Sequence, residues 1–300
     1  MPARAARSRQ TTATLIGCSA ILIWASLALL TDLAGDLPPF QLVAMAFAIG
    51  TIPGIVNMAI TGTSPRVLTR IPPVAWILGV SGLFGSYFFF FLALQHAPAV
   101  EANLINYLWP LLIVLFSALL PDERFRWWHI AGALLGLAGT LFLVTGGDSL
   151  QFQREYLGGY LSAVVCAVIW AAYSVLNRRF AHIPTDAVTG FCAVTVVLAT
   201  VCHLLTEETY SPDGGQWLAV IALGIGPIGA AFYVWDFGTK HGDIRVLGAL
   251  SYCTPLLSTF VLIVFGRAEP TRAVIVACVL IMCGAVVASG FLTRRSVLQA

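Results

Sequence analysis

Three tryptophans, Trp24, Trp109 and Trp170, stand near the middle of long apolar stretches of this chain. Tryptophan ordinarily sits at a membrane–water boundary, where its indole N–H stays wet. At mid-depth the N–H needs a buried acceptor within the packing, or the ring lines a cavity. Three such rings, two of them related by an internal repeat, favour a cavity. Polar side chains gather around them. Asn103, Asn106, Tyr107 and Pro110 share one helical face, and Trp170, Tyr173, Ser174 and Asn177 share another. Ser251, Tyr252 and Pro255 repeat the first set further along. From the aromatic run 87–91, Tyr87 is the residue expected at the cavity and the rest are expected to pack. The chemistry of such a set is non-covalent. Indole and phenol faces hold an aromatic or apolar side chain, while amides and hydroxyls hold a polar backbone. The alternative is that single Asn and Ser side chains are interhelical hydrogen-bond glue. Pro110 and Pro255 each remove a backbone donor and can kink a helix, which makes them candidate hinges.

Glu101 and Asp236 are the two acids within the apolar stretches, and an intramembrane acid is a functional suspect, here for proton coupling. Both lie within a turn or two of a stretch end, where a charge reaches water cheaply. No Lys or Arg is expected at mid-depth, so a fixed cationic clamp for a phosphorylated substrate is not evident. A zwitterion could be held by helix-end dipoles. A membrane enzyme is the rival class. The histidines His96, His129, His182, His203 and His241 form no His-x-x-x-His pair, and no Gly-x-Ser-x-Gly or phosphate loop occurs. No catalytic residue and no cofactor is therefore assigned. Cys18, Cys166, Cys192, Cys202, Cys253, Cys278 and Cys283 lack metal-type spacing and read as small apolar residues, so no metal site is expected.

The elements that must position these groups follow from composition. Of 300 residues, 59% are hydrophobic and 10% charged, against about 25% charged in soluble domains. That excludes a water-soluble globular fold and a disordered chain. A net charge of +2 argues against a nucleic-acid partner. The apolar stretches cover residues 11–31, 38–61, 72–95, 97–121, 127–147, 156–177, 187–206, 214–239, 246–266 and 273–293. Each suits a membrane helix of about 20 residues. The reading is an all-α polytopic membrane protein with ten transmembrane helices. The first stretch follows Arg4, Arg7 and Arg9 but is too long for a signal core and lacks a small-residue cleavage site, so it counts as a span. Alternating the sides puts Arg4, Arg7, Arg9, Arg66, Arg70, Arg124, Arg126, Arg178, Arg179, Lys240, Arg245, Arg294 and Arg295 on one face, against Arg154, Arg267 and Arg272 on the other. The positive-inside rule then places both termini in the cytoplasm. Trp76, Trp127, Trp128, Trp217 and Trp235 fall near stretch ends, as interfacial tryptophans should.

The chain also repeats itself. A shift of 145 residues superposes His96 on His241, Tyr107 on Tyr252 and Pro110 on Pro255, and a shift of 146 brings Trp24 onto Trp170. This divides the chain into residues 1–147 and 148–300, five helices each. Five is odd, so the second half enters the membrane from the opposite side. Inverted repeats are typical of secondary transporters, with substrate bound near mid-membrane between the halves. A channel also needs a polar path, but a two-fold inverted repeat favours alternating access. The small residues Gly132, Gly136 and Gly139, and Ala277, Gly284 and Ala288, are expected to pack the fifth and tenth helices together rather than form a dimer face. A monomer or weak homodimer follows.

The pattern Ala93-Leu94, Ala97, Ala102, Pro110-Leu111, Glu123-Arg124, Gly132 and Gly139 resembles the repeated module of the drug/metabolite transporter superfamily, EamA type. Pro255-Leu256, Glu269 and Gly284 echo it in the second half. The chain departs from that pattern where many members carry an Arg in the second span, since Ala46-Phe47 stands there. The segment 102–110 (Ala-Asn-Leu-Ile-Asn-Tyr-Leu-Trp-Pro) is similar to the fourth span of the bacterial aromatic amino-acid exporters within that family. The resemblance implies an inner-membrane exporter of Phe, Tyr and Trp, tolerant of other apolar amino acids and of aromatic compounds such as paraquat.

Overall fold

The computed structural model describes residues 2–120, 126–148 and 153–288. Arg124, Arg294 and Arg295 of the charge pattern and the Glu123-Arg124 motif lie outside the described residues. Nine helices among the described residues are long and apolar enough to cross a membrane. They are span 1 (Ser8–Ala34), span 2 (Pro39–Thr61), span 3 (Pro73–His96), span 4 (Ala99–Ser117), span 5 (Trp127–Thr145), span 6 (Arg154–Phe180), span 7 (Ala187–Thr206), span 8 (Gly214–His241) and span 9 (Ile244–Val264). Span 10 (Arg272–Ala288) is the shorter apolar helix that comes next. Within lipid every backbone N–H must find its acceptor inside the segment, and a helix achieves this. Prolines open spans 2 and 3, where a missing N–H costs nothing. Gly62, at φ 69°, ends span 2 in a left-handed cap. A capping box between Asp213 and Gln216 starts span 8.

The packing mirrors the sequence repeat. Span 5 lies against span 10, span 2 against span 7, and span 4 against span 9, while span 1 pairs with span 8 and span 3 with span 6. The last two pairs exchange when the chain is shifted by one repeat. Two interruptions also recur, the first at an offset of 145 and the second at 144. A π-helical turn occupies Ser81–Gly85 in span 3 and Gly226–Ala230 in span 8. Spans 4 and 9 are each broken into two helices, Ala99–Asn106 with Trp109–Ser117 and Ile244–Leu250 with Cys253–Val264. Pro110 and Pro255 therefore sit in the first turn of a restarted helix rather than bending a continuous one.

The small residues of spans 5 and 10 meet within the chain. A Cβ on Gly132 would lie 2.5 Å from the Gly284 carbonyl and 2.6 Å from Ala288. Backbone cannot yield as a flexible side chain can. Gly132→Ala should thus lower stability by about 1–3 kcal/mol, the usual cost of overpacking. Gly158, with nothing within 4 Å of its Cβ position, is the control. Thermal melting of the two purified variants in detergent checks this, and equal melting temperatures would refute the close contact.

Candidate functional site

A cavity of about 240 Å³ lies among spans 1, 3, 4, 6, 8 and 9. Seven of the residues singled out from the sequence line it: Trp24, Tyr87, Asn103, Asn106, Tyr107, Trp109 and Trp170. The tryptophans form one aromatic cluster. Trp24 meets Trp170 edge-on at 5.7 Å between centroids, and Trp109 meets Trp170 edge-on at 6.3 Å. Trp24 solves the buried N–H problem through the π-turn of span 8, donating to the Pro227 carbonyl at 3.0 Å. It both packs and lines the cavity, so the two readings of a mid-depth tryptophan are not exclusive. The indole N–H groups of Trp109 and Trp170 make no hydrogen bond to another described residue and remain free donors. Asn103 donates one amide hydrogen to the Ala99 carbonyl at 2.8 Å, which leaves the other hydrogen as a donor and its oxygen as an acceptor.

Three expected contacts lie elsewhere. Tyr173 is buried behind Trp170, its ring filling the space that the missing side chain of Gly82 leaves open. Tyr252 is wholly buried against Gly136 of span 5, where a Cβ would come within 2.5 Å of its ring, and its hydroxyl accepts from the Leu111 N–H. Ser251 is buried and returns its hydroxyl to the Leu247 carbonyl at 2.7 Å. In each case a neighbouring glycine or the helix's own carbonyl captured the group.

Leu27, Ser86, Phe232 and Thr254 also line the cavity and went unread; Cys166, read as a small apolar residue, lines it too, and so does Phe90, which was expected only to pack, because an aromatic run turns more than one ring to the same face. The repeat carried the signal for two of the unread residues. A shift of 145 takes Tyr87 to Phe232 and Trp109 to Thr254. Phe232 stands 5.7 Å from Trp170 and 6.1 Å from Trp24, edge-on to both.

The end of the bundle beneath the aromatic cluster differs from the sequence expectation most. Trp235 is not interfacial: it is fully buried, stacks on Trp170 at 6.2 Å and donates to Ser174 Oγ at 3.1 Å. Asp236 does not reach water but is also fully buried. Its carboxylate accepts from Lys240 Nζ, Asn177 Nδ2 and Thr185 Oγ1, each at 2.8 Å. Lys240, expected in a connecting loop, is 4% exposed and also donates to the Ile183 carbonyl at 3.0 Å. A buried cation is therefore present, but it is already paired. Glu101, by contrast, lies at the opposite end of the bundle, where its carboxylate accepts from the Tyr160 hydroxyl.

The profile of the EamA-like transporter family matches residues 11–145 and again residues 157–290. The chain belongs to this family. As an EamA-like transporter it is a multi-pass membrane protein. It is similar to the aromatic amino acid exporter YddG of Ancylobacter novellus, at 54% identity over 287 residues, covering 95% of this chain and 99% of that one. The aromatic amino acid exporter YddG of Escherichia coli K12 is 29% identical over 259 residues, 82% of this chain and 86% of that relative. A solved crystal structure superposes with a TM-score of 0.91 at 53% identity, again covering 95% of this chain and 99% of the other.

Proposed function

We propose that this EamA-like transporter exports aromatic and some other apolar amino acids, with related aromatic compounds, across a bacterial inner membrane by alternating access. One observation carries the reading: a cavity walled by Trp24, Trp109, Trp170, Tyr87 and Phe232 also presents free donors and acceptors from Trp109, Trp170, Asn103 and Asn106. Aromatic faces suit the substrate side chain and the polar groups suit its two backbone charges. The named function of its relatives agrees. Both termini are cytoplasmic in this reading, because the bases crowd onto that side. The cavity then lies in the outer half, and the Asp236–Lys240 network closes the inner end. Residues 1–147 and 148–300 act as two halves that rock about the breaks before Pro110 and Pro255. The protein works as a monomer or weak homodimer, with no cofactor.

Reconstituted vesicles of defined orientation, assayed with and without a pH gradient, test the proposal. Labelled phenylalanine should move in the export direction. Vesicles that move another metabolite but no aromatic amino acid would overturn the substrate reading. Glu101→Gln and Asp236→Asn separate the coupling candidates: a gradient response that survives both substitutions removes these acids from any coupling role.

A further inference from the structure

We propose that the Thr254 hydroxyl is the donor that reads the substrate's carboxylate; this rests on the amino-acid reading of the cavity and fixes the direction in which the zwitterion lies. Buried serines and threonines of this chain ordinarily return their hydroxyls to a carbonyl four residues back. Thr51, Ser174, Thr195 and Ser251 all do so at 2.7–2.8 Å. Thr254 does not. Its Oγ1 is buried and, like that of Thr140 in span 5, has no hydrogen-bond partner among the described residues; of the two, only Thr254 belongs to the cavity wall. It stands directly after the break in span 9, at the repeat position of Trp109. One step of its χ1 torsion exchanges hydroxyl and methyl, so the unused O–H can turn to a bound molecule.

The remaining cavity groups sort by what they can offer. An indole is a donor only, so Trp109 and Trp170 supply N–H. Asn103 has committed one of its two amide hydrogens to Ala99 and offers an acceptor oxygen along with the other hydrogen. Trp109 and Trp170 meet edge-on at one part of the wall, and Thr254 is a further unspent donor of the same lining. Donors recognise a carboxylate, and the Asn103 oxygen recognises an ammonium. A buried hydroxyl without a partner is costly to keep in a fold, and at Thr254 a molecule in the adjoining cavity would supply the partner.

The test compares wild type, Thr254→Val and Thr254→Ser in reconstituted vesicles with phenylalanine, and with phenethylamine, which lacks the carboxylate, as competitor. Valine keeps the shape and removes the hydroxyl. A hydrogen bond to a charged group is worth about tenfold or more in affinity. Thr254→Val should therefore raise the phenylalanine KM about tenfold and leave competition by phenethylamine unchanged. Thr254→Ser should restore the KM to within about threefold. The melting temperature of the valine variant should not fall, because the removed hydroxyl bonds to none of the described residues. An unchanged KM, equal weakening of both compounds, failure of serine to restore, or a lost melting temperature would each overturn the assignment. A wild type that moves no phenylalanine would instead overturn the substrate reading, and this inference with it.

Discussion

Trp109→Ala should cut phenylalanine and tyrosine flux about tenfold or more while the protein still accumulates in the membrane. Trp109 is 9% exposed and touches two other rings, meeting Trp170 at 6.3 Å and Trp235 at 6.1 Å, both edge-on. An aromatic pair adds about 0.5–1.5 kcal/mol beyond area burial. A substrate ring against the indole also loses apolar contact at about 25 cal/mol per Å² when the wall is removed. About 1.4 kcal/mol is already tenfold. Trp109→Phe keeps one aromatic ring and loses the pyrrole half with its N–H, so it should fall between wild type and alanine. Initial rates in vesicles, normalised to reconstituted protein, measure this. Unchanged flux would remove Trp109 from the substrate path. Lost yield with normal flux per molecule would make it a packing residue.

Asp236→Leu should be the most destabilising single change at the sealed end, at about 3–5 kcal/mol. Lys240 is 1% exposed at its side chain and has Asp236 as its charged partner at 2.8 Å. Removing the carboxylate strands that ammonium and also orphans donors from Asn177 and Thr185. Burying an ion pair costs solvation on both sides, so replacing both partners with apolar residues is often neutral. Asp236→Leu with Lys240→Met should thus recover most of the loss. Melting temperatures in detergent for the two singles and the double form a cycle. Additive losses would mean that the pair does not act as a unit.

The spans were legible because charge is scarce and lipid admits little but helices. The Trp24, Trp109 and Trp170 cluster was legible because tryptophan at mid-depth is rare enough to need a reason. Tyr173, Ser251 and Tyr252 were misplaced for a different cause. Helical phase counts along a span as if each helix stood alone and unbroken. The break at 251–252 rotates the second helix of span 9 against the first, and Gly82 and Gly136 on other helices draw the tyrosine rings away from the cavity. Trp235, Asp236 and Lys240 were read by distance from a span end, which says how near water lies in a bare helix. It cannot say that Asn177 and Thr185 will cover them. Phe232 and Thr254 needed only the repeat applied to Tyr87 and Trp109.

The paired π-turns make the cavity wall intolerant of small changes in chain length. Each turn carries one residue more than an α-helix needs, and one residue is about 100° of rotation. Tyr87 and Phe232 each come two residues after a π-turn and so owe their heading to it. Losing a single residue from Ser81–Gly85 would swing Tyr87, Phe90 and the rest of span 3 by over a quarter-turn, sending cavity rings toward neighbouring helices or lipid. Matching losses in both halves would turn both walls together. Either loss alone would already dismantle one wall, so both segments must keep their length.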